Sequence, residues 1–146
     1  MVNRAVSGKS DAKTGQSGAR LRLRLMFDDL EGGNADESRK TATYKAMLGP
    51  GKADLLERIG ETGSIAGAGR AMGMSYKRAW MLVETMNTIF AEPLVESSRG
   101  GSAGGGAELT QAGRKVLSLY RALEQRTLEA GNAEVEAICA LLKPRG

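Results

Sequence analysis

The stretch from Ser64 to Phe90, SIAGAGRAMGMSYKRAWMLVETMNTIF, limits what this chain can fold into more than any other. Its first part is helical by pattern: Ile65, Ala68, Gly69 and Met72 fall at i, i+3, i+4 and i+7. Ser64 stands where an N-cap hydroxyl would accept from a first-turn amide. Ala66, Gly67, Ala68, Gly69 and Ala71 are so small that another helix can approach closely. A glycine inside a helix costs about 1 kcal/mol against alanine, so packing must compensate. Gly73 is placed to supply a left-handed turn residue, Met74 to anchor the turn and Ser75 to cap a second helix.

That second helix has a continuous apolar stripe of Ala79, Leu82, Val83, Met86, Ile89 and Phe90. Ser75, Lys77, Arg78, Met81 and Thr85 lie largely off it, with Tyr76 and Trp80 at its margin. The whole predicts a helix-turn-helix, whose second helix enters the DNA major groove. Lys77 and Arg78 sit in the first turn, where the helix dipole disfavours cations unless an anion is present. A solvated helix end is the competing reading for them. Tyr76 and Trp80 fit core packing as well as DNA contact.

The flanks agree with this pattern. Gly49-Pro50-Gly51 punctuates a helix read from Lys52, with Leu55, Leu56 and Ile59 on one face and Gly60 to Gly63 closing it. After Glu92-Pro93 come a short strand over 94–98, the loop Arg99 to Ala107 with five glycines, and Glu108-Leu109. Strand, basic glycine-rich loop and strand predict a wing, in which Arg99, Gly100 and Gly101 approach phosphates; a flexible connector is the alternative. The loop lacks the Lys-Ser/Thr of a nucleotide-binding P-loop.

Toward the N-terminus, residues 1–19 read as a disordered polar tail or a basic arm. Leu21, Leu23, Leu25 and Phe27 alternate with Arg20, Arg22 and Arg24, a half-buried strand. Residues 29–39 read as a loop, and 41–48 as a second strand of a hairpin. Toward the C-terminus Thr110 is placed to cap a helix with Val116, Leu117, Tyr120, Leu123 and Thr127 on one face. The pattern weakens at Gly131-Asn132 and resumes with Val135, Ile138, Cys139 and Leu142, which predicts a break or kink. This apolar face needs a cover: either its own domain or a second chain. The expectation is a homodimer through Val116, Leu117, Tyr120, Leu123, Val135, Ile138 and Leu142.

The fold class expected is mainly α with a small β component: a winged helix-turn-helix with an N-terminal β-hairpin and a long C-terminal dimerisation helix. The expected division is a tail over 1–19, a DNA-binding domain over 20–109 and a helical dimerisation segment over 110–146. The chain has no histidine and one cysteine, Cys139. That excludes an intrachain disulfide, a Cys/His zinc site and any histidine-based triad. No catalytic residue, metal or cofactor is expected, because Glu57, Glu61 and Glu84 are scattered without a nucleophile–base constellation. With neither a secretory leader nor an apolar span of about 18 residues in view, a cytoplasmic protein without membrane contact is expected. The net charge of +4 mildly favours a polyanionic partner.

LLERIGETGSI, GMSYKRAW, EPLVE, RGGSAGGGAELT and GRKVLSLYRAL together resemble the N-terminal winged helix-turn-helix domain of ModE-type, molybdate-responsive transcription regulators. The LysR-type DNA-binding domain is a more distant relative. The resemblance covers roughly residues 48–126 and, more weakly, the strand from Arg20 to Phe27. It implies a dimer on double-stranded DNA that controls genes of molybdenum transport or use. By position it implies DNA contact from Ser64, Ser75, Tyr76, Lys77, Arg78, Met81, Arg99, Gly100 and Gly101. Full-length regulators of this type carry C-terminal molybdate-binding domains, and none is expected in this chain. A molybdate or other oxyanion effector between two chains at Arg114, Lys115, Arg121 and Arg126 is one reading; a solvated cationic face is the other. The alternative function is a winged-helix protein-interaction or dimerisation module without specific DNA binding.

Overall fold

The computed structural model describes residues 19–27, 47–98 and 106–144. The predicted tail up to residue 18, the loop over 29–39, positions 41–46 of the second predicted strand, and the wing tip with Arg99, Gly100 and Gly101 lie outside the described residues. The elements are β1 (Leu25–Met26), β2 (Met47–Leu48), α1 (Pro50–Thr62), α2 (Ile65–Ala71), α3 (Tyr76–Ile89), β3 (Val95–Ser98), β4 (Gly106–Leu109) and α4 (Gln111–Ala140). The fold is mainly α, with two small antiparallel sheets of two strands each. Leu25 pairs with Leu48 and Met26 with Met47. The described residues fall into two compact units, 23–27 with 47–98 and 106–120, and 19–22 with 121–144. The first unit thus takes in the start of α4, past the division expected at residue 109.

In the first unit α1 begins at Pro50, two residues before the predicted start. Proline suits a first helical turn because its ring presets φ and its missing N–H has no partner there anyway. The helix runs through Gly60 and stops at Gly63, whose φ of 68° is left-handed and whose N–H donates to Ile59 O at 2.8 Å. Leu55, Leu56 and Ile59 are fully buried against Ala68 of α2, Ala79, Val83 and Met86 of α3, Leu94 just before β3, and Val95, Ala107 and Leu109 of the wing strands. The apolar positions read from helical spacing therefore build one core with the hairpin.

A smaller cluster forms where α1, β2 and α4 meet. Leu48, Ala53 and Tyr120 are buried, and Leu25, Phe27, Phe90, Val116 and Leu117 pack on them. The Phe27 and Phe90 rings meet edge-on at 5.8 Å between centroids. Tyr120 Oη donates to Leu23 O at 2.6 Å, which satisfies its buried hydroxyl and ties α4 to the N-terminal strand. Of the residues expected at a dimer interface, Tyr120 is buried in this cluster and Val116 and Leu117 are half-buried against it. Lys52 is also buried, with Nζ donating to Met47 O at 2.6 Å. Burial lowers its pKa. The charged form is the disfavoured one, so this cost is present at neutral pH and is relieved as pH rises through the lowered pKa.

The wing strands hand the chain to α4 through a tight junction. Thr110 N donates to Leu94 O at 3.0 Å, and Thr110 Oγ1 donates to Pro93 O at 2.7 Å. The same hydroxyl oxygen accepts from Gly113 N at 3.0 Å, the cap predicted for it. Gly113 lies so close to Leu94, just before β3, that a Cβ there would overlap Leu94 O. Helix α4 then runs unbroken to Ala140, so the break expected at Gly131-Asn132 does not occur. One glycine costs only about 1 kcal/mol. Gln125 to Glu129 at 2.7 Å and Asn132 to Glu136 at 3.3 Å, each worth a few tenths of a kcal/mol, support the turns on either side.

The two helical glycines of α4 should respond oppositely to alanine. Gly113→Ala meets a backbone carbonyl and should destabilise by about 1–3 kcal/mol, because overpacking outweighs the propensity gain. Gly131→Ala meets nothing within 4 Å and should stabilise by up to about 1 kcal/mol. Urea denaturation of the two variants measures both signs; a neutral Gly113→Ala contradicts the packing account.

Candidate nucleic-acid interface

Two serine caps and one turn set the direction of α3. Ser64 Oγ accepts from Gly67 N at 3.0 Å and starts α2. At the end of α2, Gly69 O accepts from Met72 N at 3.1 Å and from Met74 N at 2.9 Å. Gly73 takes φ 69°, a left-handed conformation that other residues adopt only with strain. A Cβ on Gly69 would lie 3.2 Å from Ala79 Cβ, so the small residues read from the sequence bring α2 against α3. Ser75 Oγ accepts from Arg78 N at 3.2 Å and Ser75 O from Ala79 N at 3.0 Å. The helix-turn-helix geometry follows from these local bonds.

Two opposed stripes run along α3. Ala79, Leu82, Val83 and Met86 form the inner one at i, i+3, i+4 and i+7; three are buried and Leu82 is half-buried on the core. Lys77, Trp80, Met81 and Glu84 repeat the same spacing on the outside, and all four are exposed. At 100° per residue the two stripes lie on opposite sides of the helix. Ser75, Tyr76 and Arg78 are exposed at the N-terminal end. Tyr76 and Trp80, open between core and surface in the sequence, are 58% and 45% exposed. They are not core residues: the inner stripe is already filled by Met86, Val83 and their neighbours. No acidic side chain occupies the first turn. Lys77, Arg78 and the positive end of the helix dipole therefore add to one electropositive end.

The wing is fixed to α3 by a residue that sequence reasoning missed. Asn87 Oδ1 accepts from Leu94 N at 2.8 Å and Val95 N at 3.2 Å, while Asn87 Nδ2 donates to Val95 O at 3.0 Å. Its one sequence signal is an amide side chain in a helix interior, where asparagine is a poor helix former. From Val95 the hairpin pairs Val95 with Leu109, Glu96 with Glu108, Ser97 with Ala107 and Ser98 with Gly106. Ala107 N donates to Gly63 O at 2.9 Å, which docks β4 on the turn before α2. Glu96 and Glu108 are both exposed and directly opposite each other. That face of the hairpin is acidic and repels a polyanion.

Of the side chains expected at DNA, Ser75, Tyr76, Lys77, Arg78 and Met81 share the exposed side and N-terminal end of α3, and Ser64 is half-buried at the start of α2. Of those expected at a dimer interface, Leu123, Ile138 and Leu142 are exposed and Val135 is half-buried. Among the described residues, no helix is long and apolar enough to cross a membrane, and no group of three or more acidic, Cys or His side chains could hold a metal ion.

Comparison with known proteins bears on this same region. Residues 52–114 match the family model of bacterial regulatory helix-turn-helix proteins of the lysR family. The molybdenum-pterin-binding protein MopB of Rhodobacter capsulatus is 49% identical over 79 residues, which are 54% of this chain and 29% of that protein. The molybdenum transport protein ModE of Azotobacter vinelandii is 49% identical over 70 residues, 48% of this chain and 26% of that protein. The DNA-binding transcriptional dual regulator ModE of Escherichia coli is 40% identical over 81 residues, 56% of this chain and 31% of that protein. The chain thus spans less than a third of the length of these relatives. The resemblance to ModE-type regulators holds, and the segment matched by the family model runs from the first turn of α1 through α2, α3 and both wing strands to the start of α4.

Asn87→Ala should destabilise by about 1–3 kcal/mol, because it leaves the Leu94 and Val95 backbone groups without their partner. Asn87→Asp keeps both accepted bonds but sets a carboxylate oxygen against Val95 O in place of the Nδ2 donor, so it too should destabilise. A lowered urea midpoint for both variants is the expected result; equal midpoints for wild type and Asn87→Ala would show that the wing is held by other contacts.

Proposed function

We propose that this protein is a transcription regulator that binds double-stranded DNA sequence-specifically as a homodimer, with α3 in the major groove. The observation that carries the proposal is the outer side of α3: a capped, solvent-exposed helix start with two cations and no acid in its first turn. The lysR-family match over residues 52–114 supports it. Lys77 and Arg78 contact base edges or phosphates, and Met81 lies one turn further along the same groove-facing side. Ser64 and Ser75 use their oxygens as caps, which leaves each hydroxyl hydrogen to donate to a phosphate. Tyr76 carries a third hydroxyl beside them. Arg99, Gly100 and Gly101 of the wing loop approach the backbone, where glycine removes the steric barrier and Arg99 brings charge.

The proposed dimer uses the exposed apolar positions of α4 and the residues after it, Leu123, Ile138 and Leu142, with Val135 beside them. A two-fold pair would present two α3 helices to two half-sites. The names of the relatives, molybdenum transport and molybdenum-pterin binding, support genes of molybdenum transport or use as the regulated set.

Selection from random duplexes should yield a defined site. On that site, log K should fall linearly with log salt, with a slope near −0.9 per phosphate neutralised. Removing a phosphate contact through Lys77→Ala or Arg78→Ala should reduce that slope by about 0.9. Removing a guanine contact should relax selectivity at one position by about 1–3 kcal/mol. Folded variants that keep both the slope and the preference of the wild type refute the assignment. Weak binding indifferent to sequence favours a protein-interaction module instead.

A further inference from the structure

The outer stripe of α3 holds more apolar surface than a phosphate contact needs. Tyr76, Trp80 and Met81 are 58%, 45% and 53% exposed within six consecutive residues. A single exposed apolar residue is ordinary on a protein surface. This patch differs because aromatics are only 4% of the chain and Trp80 is its one tryptophan. The core leaves that side chain in water although its own stripe, one helix face away, is built from smaller residues.

The chemistry around the patch narrows what can cover it. Lys77 lies in the same stripe and Arg78 beside it, both exposed. An occupant must therefore offer an apolar group within an anionic frame. Glu84 closes the stripe one turn beyond Trp80 and is exposed. A carboxylate there is repelled by phosphate and satisfied by a base-edge donor such as the cytosine amino group. Trp80 and Met81 stand about 6 Å along the axis from Tyr76 and Lys77, at 1.5 Å per residue, so both pairs reach into one groove about 12 Å wide. In the major groove the apolar group framed by phosphates is the C5-methyl of thymine.

We infer that Trp80 and Met81 read thymine methyl groups, and so make this protein select T·A pairs beneath the second turn of α3. The inference rests on the DNA-binding reading above and names the specificity determinants of that same surface. Trp80 supplies a rigid apolar plane and Met81 a flexible one that closes on the methyl. Lys77 and Arg78 set position and charge, and they do not distinguish thymine from uracil.

The test replaces thymines of the selected duplex, one at a time, by deoxyuridine. This removes the methyl and leaves every hydrogen-bonding group in place. Binding is measured by fluorescence anisotropy of a labelled duplex, with far-UV circular dichroism as the check of folding. Wild-type protein should lose about fourfold in affinity at one or more thymines per half-site, the value of one buried methyl group. In Trp80→Ala or Met81→Ala that thymine-to-uracil ratio should fall to about one. Lys77→Ala should weaken both duplexes alike and keep the ratio. Equal affinity of wild type for all thymine and uracil duplexes overturns the inference while sequence-specific binding stands. A ratio unchanged in both Trp80→Ala and Met81→Ala also overturns it, because another residue then reads the methyl. If no duplex is preferred in the initial selection, the DNA-binding reading itself fails and takes the inference with it.

Discussion

The backbone of Leu94 is the point on which the reading head depends. Its N–H donates to Asn87 Oδ1 and its carbonyl accepts from Thr110 N. That same carbonyl lies against Gly113, where a Cβ would overlap it. One fully buried residue thus joins α3, the wing and the start of α4. Side-chain contacts alone would leave the hairpin to slide on α3. Directional bonds to two successive residues, Leu94 and Val95, fix where the wing leaves the helix and the register in which it begins. Buried backbone groups that lose such partners cost about 1–3 kcal/mol each, which is why a polar side chain is retained at this place.

With the wing fixed, α3 can afford a costly outer side. Its inner stripe contributes Ala79, Val83 and Met86 to a core shared with α1 and both wing strands. Burial of such side chains yields about 1.5–3 kcal/mol apiece for the larger ones. The first turn opposes this by only a few tenths of a kcal/mol to about 1 kcal/mol, because exposed cations near a helix N-terminus are well screened. The balance leaves the exposed positions of Lys77, Arg78, Trp80 and Met81 unconstrained by the core. The same separation holds at the turn, where Gly73 and the Ser75 cap set the geometry through backbone bonds and leave exposed side chains uncommitted.

Much of the head was legible in the sequence because its signals are local. Ser64, Ser75 and Thr110 cap the helices they precede, and Gly73 takes the left-handed turn. The apolar stripe of α3 faces the core as its spacing requires. What was not legible depends on partners distant in the chain. Asn87 looks like a poor helix former until Leu94 and Val95 fold back on it. Gly113 looks like a propensity defect until Leu94 O lies against it. Val116, Leu117 and Tyr120 carry the same apolar pattern whether a second chain or residues 23–27 pack on them; the bond from Tyr120 to Leu23 O and its burial were not legible in that pattern. Gly131-Asn132 suggested a break, but the penalty of one glycine is too small to interrupt a helix of strong formers.

By itself, then, the sequence determined where helices begin and turn, which side of α3 is apolar, and that two strands flank a glycine-rich loop. Capping, left-handed glycine and 3.6-residue periodicity act within a few residues, so the order of amino acids contains them completely. Tertiary structure alone decided that Trp80 and Tyr76 face water, that Asn87 holds the wing, and that Leu94 meets α4 across a glycine. A margin residue on a helix has no fixed fate until the neighbouring elements have filled the core. Here the inner stripe fills it, and the largest aromatic side chain of the protein is left exposed.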